Sequence, residues 1–219
     1  MLFSRDLHCF LTFIFCLICL LFPYSNTYSV VNAPVKDNAI VTDSPLLSKM
    51  HDDYYIGNLK AKNVMIEYSS LTCPHCAHYH ASLFTQILEK YVKTGKMLYI
   101  YRPFPLDAQS LDAAALSLCI GHDDYDLYFR VIDVLYKNQL SWLFGDYKKK
   151  MISILEFNNI SKSKIEHCKS SDLFKRRVIK QSFQGKQDLK IEYTPYLILN
   201  GAPLKSELSL EMIDKKLIK

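Results

Sequence analysis

Glu67-Tyr68-Ser69-Ser70-Leu71-Thr72-Cys73-Pro74-His75-Cys76 is the stretch on which the reading of this chain turns. It begins inside Asn63-Val64-Met65-Ile66-Glu67-Tyr68, a compact and mostly apolar run too short for a helix, which predicts a buried strand. Beyond Cys76 the pattern changes to helical spacing. Phe84, Ile87, Leu88, Tyr91 and Val92 fall on one face, and Gly95 ends the run. A Cys-x-x-Cys pair therefore sits where a strand hands over to a helix N-terminus.

That position has its own chemistry. The first N–H groups of a helix lack intrahelical partners and carry partial positive charge, so a sulfur at Cys73 can accept from them as a thiolate. Pro74 suits the first helical position, having no N–H to leave unsatisfied. His75, when protonated, adds a cation. The helix terminus and His75 act in one direction, pushing the Cys73 pKa down toward the ~3.5–7.5 range of such cysteines. A pKa of ~4 would favour the reduced form by roughly 4 kcal/mol at pH 7. For a two-electron couple that is about 90 mV. The bond between Cys73 and Cys76 would tend to be given away, with Cys76, in the first turn and facing inward, as the resolving thiol. Other uses of the pair fit less well. Haem attachment needs His after the second Cys, and Ala77 stands there. Zinc needs two further ligands. His78 and His80 are candidates, with Cys119 and Cys168 behind them, but the helix junction favours a redox pair, and both histidines read as ordinary polar helix residues.

Around this centre, Asp52–Ile56 is a short strand candidate and Met97–Tyr101 another, stopped by Pro103 and Pro105. Helical spacing then runs through residues 112–120, 126–138, 146–157 and 172–189. Strand character returns at Tyr196-Leu197-Ile198-Leu199, turned by Asn200-Gly201, and a helix covers 207–219. The order is an α/β sheet with an inserted helical subdomain.

The first segment reads as an address. Arg5 precedes Cys9–Phe22, an unbroken apolar run of 14 residues. As a helix it spans only ~21 Å, short of the ~30 Å hydrocarbon layer. Pro23 breaks it, and Thr27-Tyr28-Ser29 suits a signal peptidase, with Val31-Asn32-Ala33 as a second cleavage site. An uncleaved anchor is the rival. A lipoprotein fits poorly, because no small residue precedes Cys19. Three of the seven cysteines lie in this segment, leaving Cys73, Cys76, Cys119 and Cys168. Export makes disulfide chemistry the first expectation for them. Three pairings are formally possible. Cys73 and Cys76 are too close for a long-range staple, so the natural split is 73–76 and 119–168, with two buried free thiols as the plain alternative for the second pair. Composition closes off other classes. Six Gly and 8 Pro exclude collagen-like and low-complexity chains. The net charge of +5 comes without a dense basic block; Lys148–Lys150 reads as a solvated helix face, so nucleic acid is not an expected partner. The 15 Tyr and 12 Phe read as core before groove.

The Glu67-to-Cys76 segment, Thr194-Pro195 before a strand and the helical insert resemble the DsbA-like branch of the thioredoxin superfamily, over roughly residues 52–219. The resemblance implies a thioredoxin fold with an inserted helical subdomain, divided as signal 1–29, leader 30–50, first thioredoxin part 51–106, helical insertion 107–183 and second thioredoxin part 184–219. It implies that Cys73, Cys76, His75 and Glu67 are catalytic, Glu67 matching a buried acid that assists proton transfer at the buried cysteine. It implies a cis Pro195 beside the pair, with Thr194 and Pro195 contacting substrate. Cys119–Cys168 would be a structural disulfide that staples the insert. The expected activity is donation of disulfides to newly exported cysteine-containing proteins in the periplasm, without cofactor or metal, by a monomer reoxidised by a quinone-linked membrane partner. Thr194 departs from the Val of strongly oxidising members and occurs in isomerase relatives, so isomerase or reductase activity is the alternative. Isomerase relatives dimerise through an added N-terminal domain, for which the leader is too short. A metal carrier using Cys73, Cys76 and a histidine is the reading from another class.

Overall fold

Residues 44–204 and 208–218 are described by the computed structural model. The expected signal, and the leader up to residue 43, lie outside the described residues. Alternation of side chains decides how the sheet is built. Strand β1 (Tyr54–Gly57) and strand β2 (Asn63–Ser69) are followed by helix α1, which starts as Pro74–Tyr79 and runs on to Val92. Strand β3 (Met97–Pro103) comes next. In β2 and β3, Met65, Met97, Tyr99 and Tyr101 enter the core on the α1 side. Ile66, Tyr68, Leu98 and Ile100 fill a second core on the opposite face. By the same alternation Glu67 lies on the α1 side, and it is completely buried. The strands match the sequence expectation to within two residues at either end.

Helix α1 departs from a plain 3.6-residue period. Its middle and end, His80–Phe84 and Leu88–Val92, are wider π-helical turns, with one α segment, Thr85–Ile87, between them. Such turns re-aim the side chains that follow and cluster at functional sites. The expected apolar face still forms, with Phe84, Ile87, Tyr91 and Val92 buried.

Between β3 and the next strand lie six helices: α2 (Ala108–Ile120), α3 (Tyr125–Lys137), α4 (Gln139–Trp142), α5 (Tyr147–Phe157), α6 (Lys162–Cys168) and α7 (Asp172–Asp188). Helix α2 begins four residues before the expected start, because Asp107 and Ser110 form a reciprocal capping box. The short α4 and α6 escaped sequence reading, too brief to show a period. Gly121, just after α2, lets α3 come close: a Cβ there would stand 2.5 Å from Tyr128 Cα. Cys119 at the end of α2 is bonded to Cys168 at the end of α6, with Cα atoms 5.6 Å apart. Helix α7 continues past residue 183, and its Gly185 lies against the Tyr68 ring of β2.

Strand β4 (Tyr196–Leu199) and the two-residue β5 (Ala202–Pro203) form the hairpin read from Asn200-Gly201, both of which take positive φ, 51° and 79°, as a two-residue I′-type turn requires. Helix α8 (Leu210–Lys216) is the last element of the described chain. The sheet order is β1-β3-β2-β4-β5. Only β2 and β3 run parallel; the other neighbours are antiparallel. This is a thioredoxin-like mixed sheet carrying a helical insert. Strand β2 is central, between β3 and β4, so its C-terminal end delivers the Cys73 segment to the middle of the sheet edge rather than to its side.

One polar cluster went unread in the sequence. Arg102, fully buried at the end of β3, donates through Nε and Nη2 to both oxygens of buried Asp53, at 2.8 and 2.7 Å. It also donates to Tyr68 Oη and to the Ser48 carbonyl. A bidentate pair with every partner in place avoids the penalty of an unpaired buried charge and ties the segment before β1 to the sheet.

Candidate active site

Strand β2 ends at Ser69, and four residues later Cys73 stands as the N-cap of α1, in extended geometry at φ −75° and ψ 121°. N-cap positions usually hold an oxygen that accepts from the first helical N–H groups. Here sulfur takes that role: the Cys76 N–H donates to Cys73 Sγ at 3.4 Å. Pro74 fills the first helical position as expected. The turn is held from the insert, where the Gln139 amide donates to the Leu71 and Cys73 carbonyls at 2.9 and 3.0 Å. On the other side lies the cis Thr194–Pro195 peptide, and the Cys73 thiol donates to the Thr194 carbonyl at 3.4 Å. Two segments 121 residues apart thus meet at one sulfur.

The two thiols are driven apart in acidity. Cys73 is lowered to about 5, chiefly by a hydrogen bond from the Cys76 thiol. Burial works against this, while Thr194 and the backbone N–H groups of Cys76 and His75 work with it. Cys76 is pushed far up, first by burial, then by that same hydrogen bond and by the Glu67 charge. Sequence reasoning foresaw the helix N-terminus but missed the leading contributor, the partner thiol. It also assigned His75 a role through its imidazole. That side chain is exposed, and the contribution of His75 comes through its main-chain N–H. A value near 5 leaves Cys73 almost wholly ionised at pH 7, with a smaller driving force than the ~4 first considered would give.

Behind Cys76 is a buried polar cluster. Glu67 accepts from Tyr99 Oη at 2.6 Å, and both its oxygens face His80 Nε2, at 3.0 and 3.1 Å. His80 is buried and stacks on Tyr136, ring centroids 4.2 Å apart. Tyr136 in turn shares hydrogen bonds with Ser69 and Tyr101. Burial, first of all, holds Tyr79, Tyr99, Tyr101 and Tyr136 well above the ordinary phenol value, so they stay neutral donors. The expectation that His80 is an ordinary polar helix residue is overturned: a π-turn begins at His80 and the ring points into the core. His80 follows Cys76 by four residues, hence on the same helix face, a signal that was available in the sequence. Gln139 had no such signal, since only the fold brings α4 beneath the Cys73 turn.

Cys73, Cys76, Glu67, Thr194 and Pro195 therefore converge, with His75 at the rim. Cys119 and Cys168 lie apart, joined to each other within the insert. Among the described residues no group of three or more His, Cys, Asp or Glu side chains is arranged to hold a metal. His78 is exposed, and His80 faces Glu67.

A family model described as thioredoxin matches residues 49–219. Proteins of Rickettsia typhi and Rickettsia prowazekii named as protein-disulfide oxidoreductases are 31% and 30% identical, over 69% and 75% of this chain. The chain spans 56% and 60% of the length of those two relatives. Among solved structures, alpha-DsbA1 of Wolbachia pipientis superposes with a TM-score of 0.70 at 29% identity, covering 78% of this chain and 91% of that one. BdbD of Bacillus subtilis superposes with a TM-score of 0.67 at 19% identity, covering 76% and 91%, a likeness of fold.

Proposed function

The chain belongs to the thioredoxin family, in its DsbA-like branch, and from that premise we propose that it is a thiol–disulfide oxidoreductase of the oxidase type. The observation that carries the reading is the lowered pKa of Cys73, about 5, at a sulfur apposed to the Thr194 carbonyl. A stable Cys73 thiolate stabilises the dithiol form, so the oxidised form passes its bond to a substrate. A substrate thiolate attacks Cys73, the sulfur at the helix tip, and Cys76 departs with the electron pair. A mixed disulfide then joins Cys73 to the substrate. A second substrate thiolate attacks the substrate sulfur of that bond, and Cys73 leaves as the stabilised thiolate. Two electrons pass to the protein, which keeps one proton, on Cys76. The extended backbone at Thr194-Pro195 suits pairing with an unfolded chain, which would place the incoming sulfur beside Cys73.

The reading extends to its setting. Substrates are newly exported cysteine-containing proteins met in the periplasm, after passage directed by the N-terminal signal. No helix among the described residues is long and apolar enough to cross a membrane. Regeneration falls to a quinone-linked membrane reoxidase, and the protein acts as a monomer. Cys119–Cys168 does not turn over and serves the fold of the insert.

Equilibration with glutathione, followed beside the oxidation of a reduced two-cysteine peptide, tests this. The oxidase reading expects a pair more oxidising than glutathione, rapid peptide oxidation and a trapped mixed disulfide in Cys76→Ser. A pair as reducing as thioredoxin, with rearrangement of scrambled disulfides faster than oxidation, would favour the isomerase or reductase reading. Tight zinc retention without exchange would favour a metal carrier.

A further inference from the structure

Departure of Cys76 creates a basic, buried thiolate that needs a proton, yet Cys76 is completely shielded from solvent. Glu67, whose charge Cys76 feels, is equally shielded. A single carboxylic acid can deliver one proton and is then spent, unless something reloads it. The route for reloading is visible on the far side of Glu67. His80 Nε2 contacts both carboxylate oxygens, while Nδ1 is buried without a hydrogen-bond partner. His80 is also among the residues that line a cavity of about 690 Å³ between α1 and the end of α3. Pro74, His78, Lys137 and Leu140 also line it, and all four are exposed, so the cavity opens to solvent and has ample room for water.

Resting on the oxidoreductase reading, we propose that His80 is the proton relay of this site, connecting water in the α1–α3 cavity with Glu67 and, through it, with Cys76. In the donor direction the Cys73–Cys76 bond breaks, and the electron pair stays on Cys76. Glu67 gives that sulfur its proton, directly or across one water. His80 then gives the Nε2 proton to the Glu67 carboxylate and gains one from cavity water at Nδ1. Each disulfide delivered takes one proton from the cavity, while the substrate dithiol releases two to solvent. Reoxidation runs the relay backwards. An imidazole suits the role because either of its two nitrogens can hold the proton while the other accepts one. The titratable groups around His80 are Glu67 on β2, Tyr101 on β3, Tyr136 on α3 and Tyr79 on α1, with Tyr99 of β3 bonded to Glu67 behind them. The tyrosines are held neutral by burial, which leaves Glu67 and His80 as the pair that can pass a proton. Asp133 and Lys137, also lining the cavity, are paired with each other at 2.7 Å.

His80 acts through Glu67, so it is a positioning residue, and its test must read proton movement rather than activity alone. His80→Gln keeps an N–H for Glu67 but cannot pass a proton; His80→Ala opens a space continuous with the cavity. The full-length protein, oxidised, is mixed with a reduced two-cysteine peptide from pH 5 to pH 9. The expected result is a rate lower by roughly 100-fold in both variants at pH 7, the low end for proton transfer by a placed side chain. Imidazole added in solution restores His80→Ala, which it could not do for a folding defect. Variants that match an active wild type across the pH range, or a His80→Ala variant indifferent to imidazole, overturn the relay and leave the oxidoreductase reading intact. A wild-type protein inert toward the peptide overturns that reading itself, and the relay with it.

Discussion

The four cysteines of the described chain form two pairs whose environments are opposite in design. Cys73 and Cys76 are three residues apart on a strand–helix turn, among polar groups that set their acidities apart. Donors converge on one sulfur and lower it to about 5, while burial and Glu67 raise the other. Cys119 and Cys168 are 49 residues apart in sequence and joined across the ends of α2 and α6. The first pair stores chemistry in a difference of acidity. The second holds chain segments together and gains from staying bonded. Sequence separation, more than burial, divides the two roles, since a bond closing so short a loop restricts the unfolded chain least.

Removing each pair should therefore have crossed effects, and this is the largest contrast expected. Cys73→Ala should reduce peptide oxidation to the uncatalysed rate and, compared at about pH 5 where the thiolate adds little stability, leave the melting temperature of the reduced protein little changed. Cys119→Ala with Cys168→Ala should cost about 4 kcal/mol of stability, the chain-entropy value for a loop of this length, while the folded variant still oxidises peptide. Denaturant titration beside the peptide assay reads both. Loss of turnover in the second variant, or retained turnover in the first, would erase the distinction.

How far this contrast could be read without coordinates depends on range. The strand into Cys73, the N-cap and the Asn200-Gly201 turn are local, and periodicity with turn chemistry was enough to find them. The insert was legible as helices, yet its two shortest members were not, because four and seven residues cannot display a period. Within the site, Glu67 was reached through family resemblance and is explained by the alternation that turns it toward α1. His80 was misjudged because a histidine in a polar-looking helix segment has no visible partner until β2 is placed beneath it. Gln139 and the Arg102–Asp53 pair are wholly tertiary: each joins segments about 50 residues or more apart, and nothing in their neighbouring residues announces it. The opposed acidities of Cys73 and Cys76 were half legible, since the helix terminus is in the pattern but the hydrogen bond between the thiols is in the packing.

A second way to sharpen the comparison is pH. For Cys73 the folded pKa, about 5, lies below the unfolded thiol value of ~8.5. Between these pH values the reduced native protein holds one fewer proton than the unfolded chain, so its stability rises with pH and is lost as pH falls through about 5. Above ~8.5 the unfolded chain ionises both thiols, whereas the native protein keeps Cys76 protonated, and stability turns down again. Reduced minus oxidised stability, measured with Cys119–Cys168 intact, should therefore climb from pH 5 to a maximum near pH 8.5. Other titrating groups largely cancel in the difference. A flat profile would mean that Cys73 ionises as an ordinary thiol.

The smallest effect expected is at Thr194, the residue on which the oxidase and isomerase readings part. Its Oγ1 is buried with no hydrogen-bond partner, yet Thr194 is among the groups that lower Cys73 once that sulfur is charged. Thr194→Val keeps the shape, leaves the carbonyl that faces Cys73 in place, and removes a hydroxyl that satisfies nothing in the neutral state. The oxidised form should therefore be no less stable, because no hydrogen bond is lost and an unpaired polar group is gone. The thiolate, by contrast, loses one of its several donors, so the Cys73 midpoint should move upward, followed by thiolate absorbance against pH. An unmoved midpoint would show that the hydroxyl does not address the sulfur, and that the acidity of Cys73 is set by Cys76 and the helix N-terminus alone.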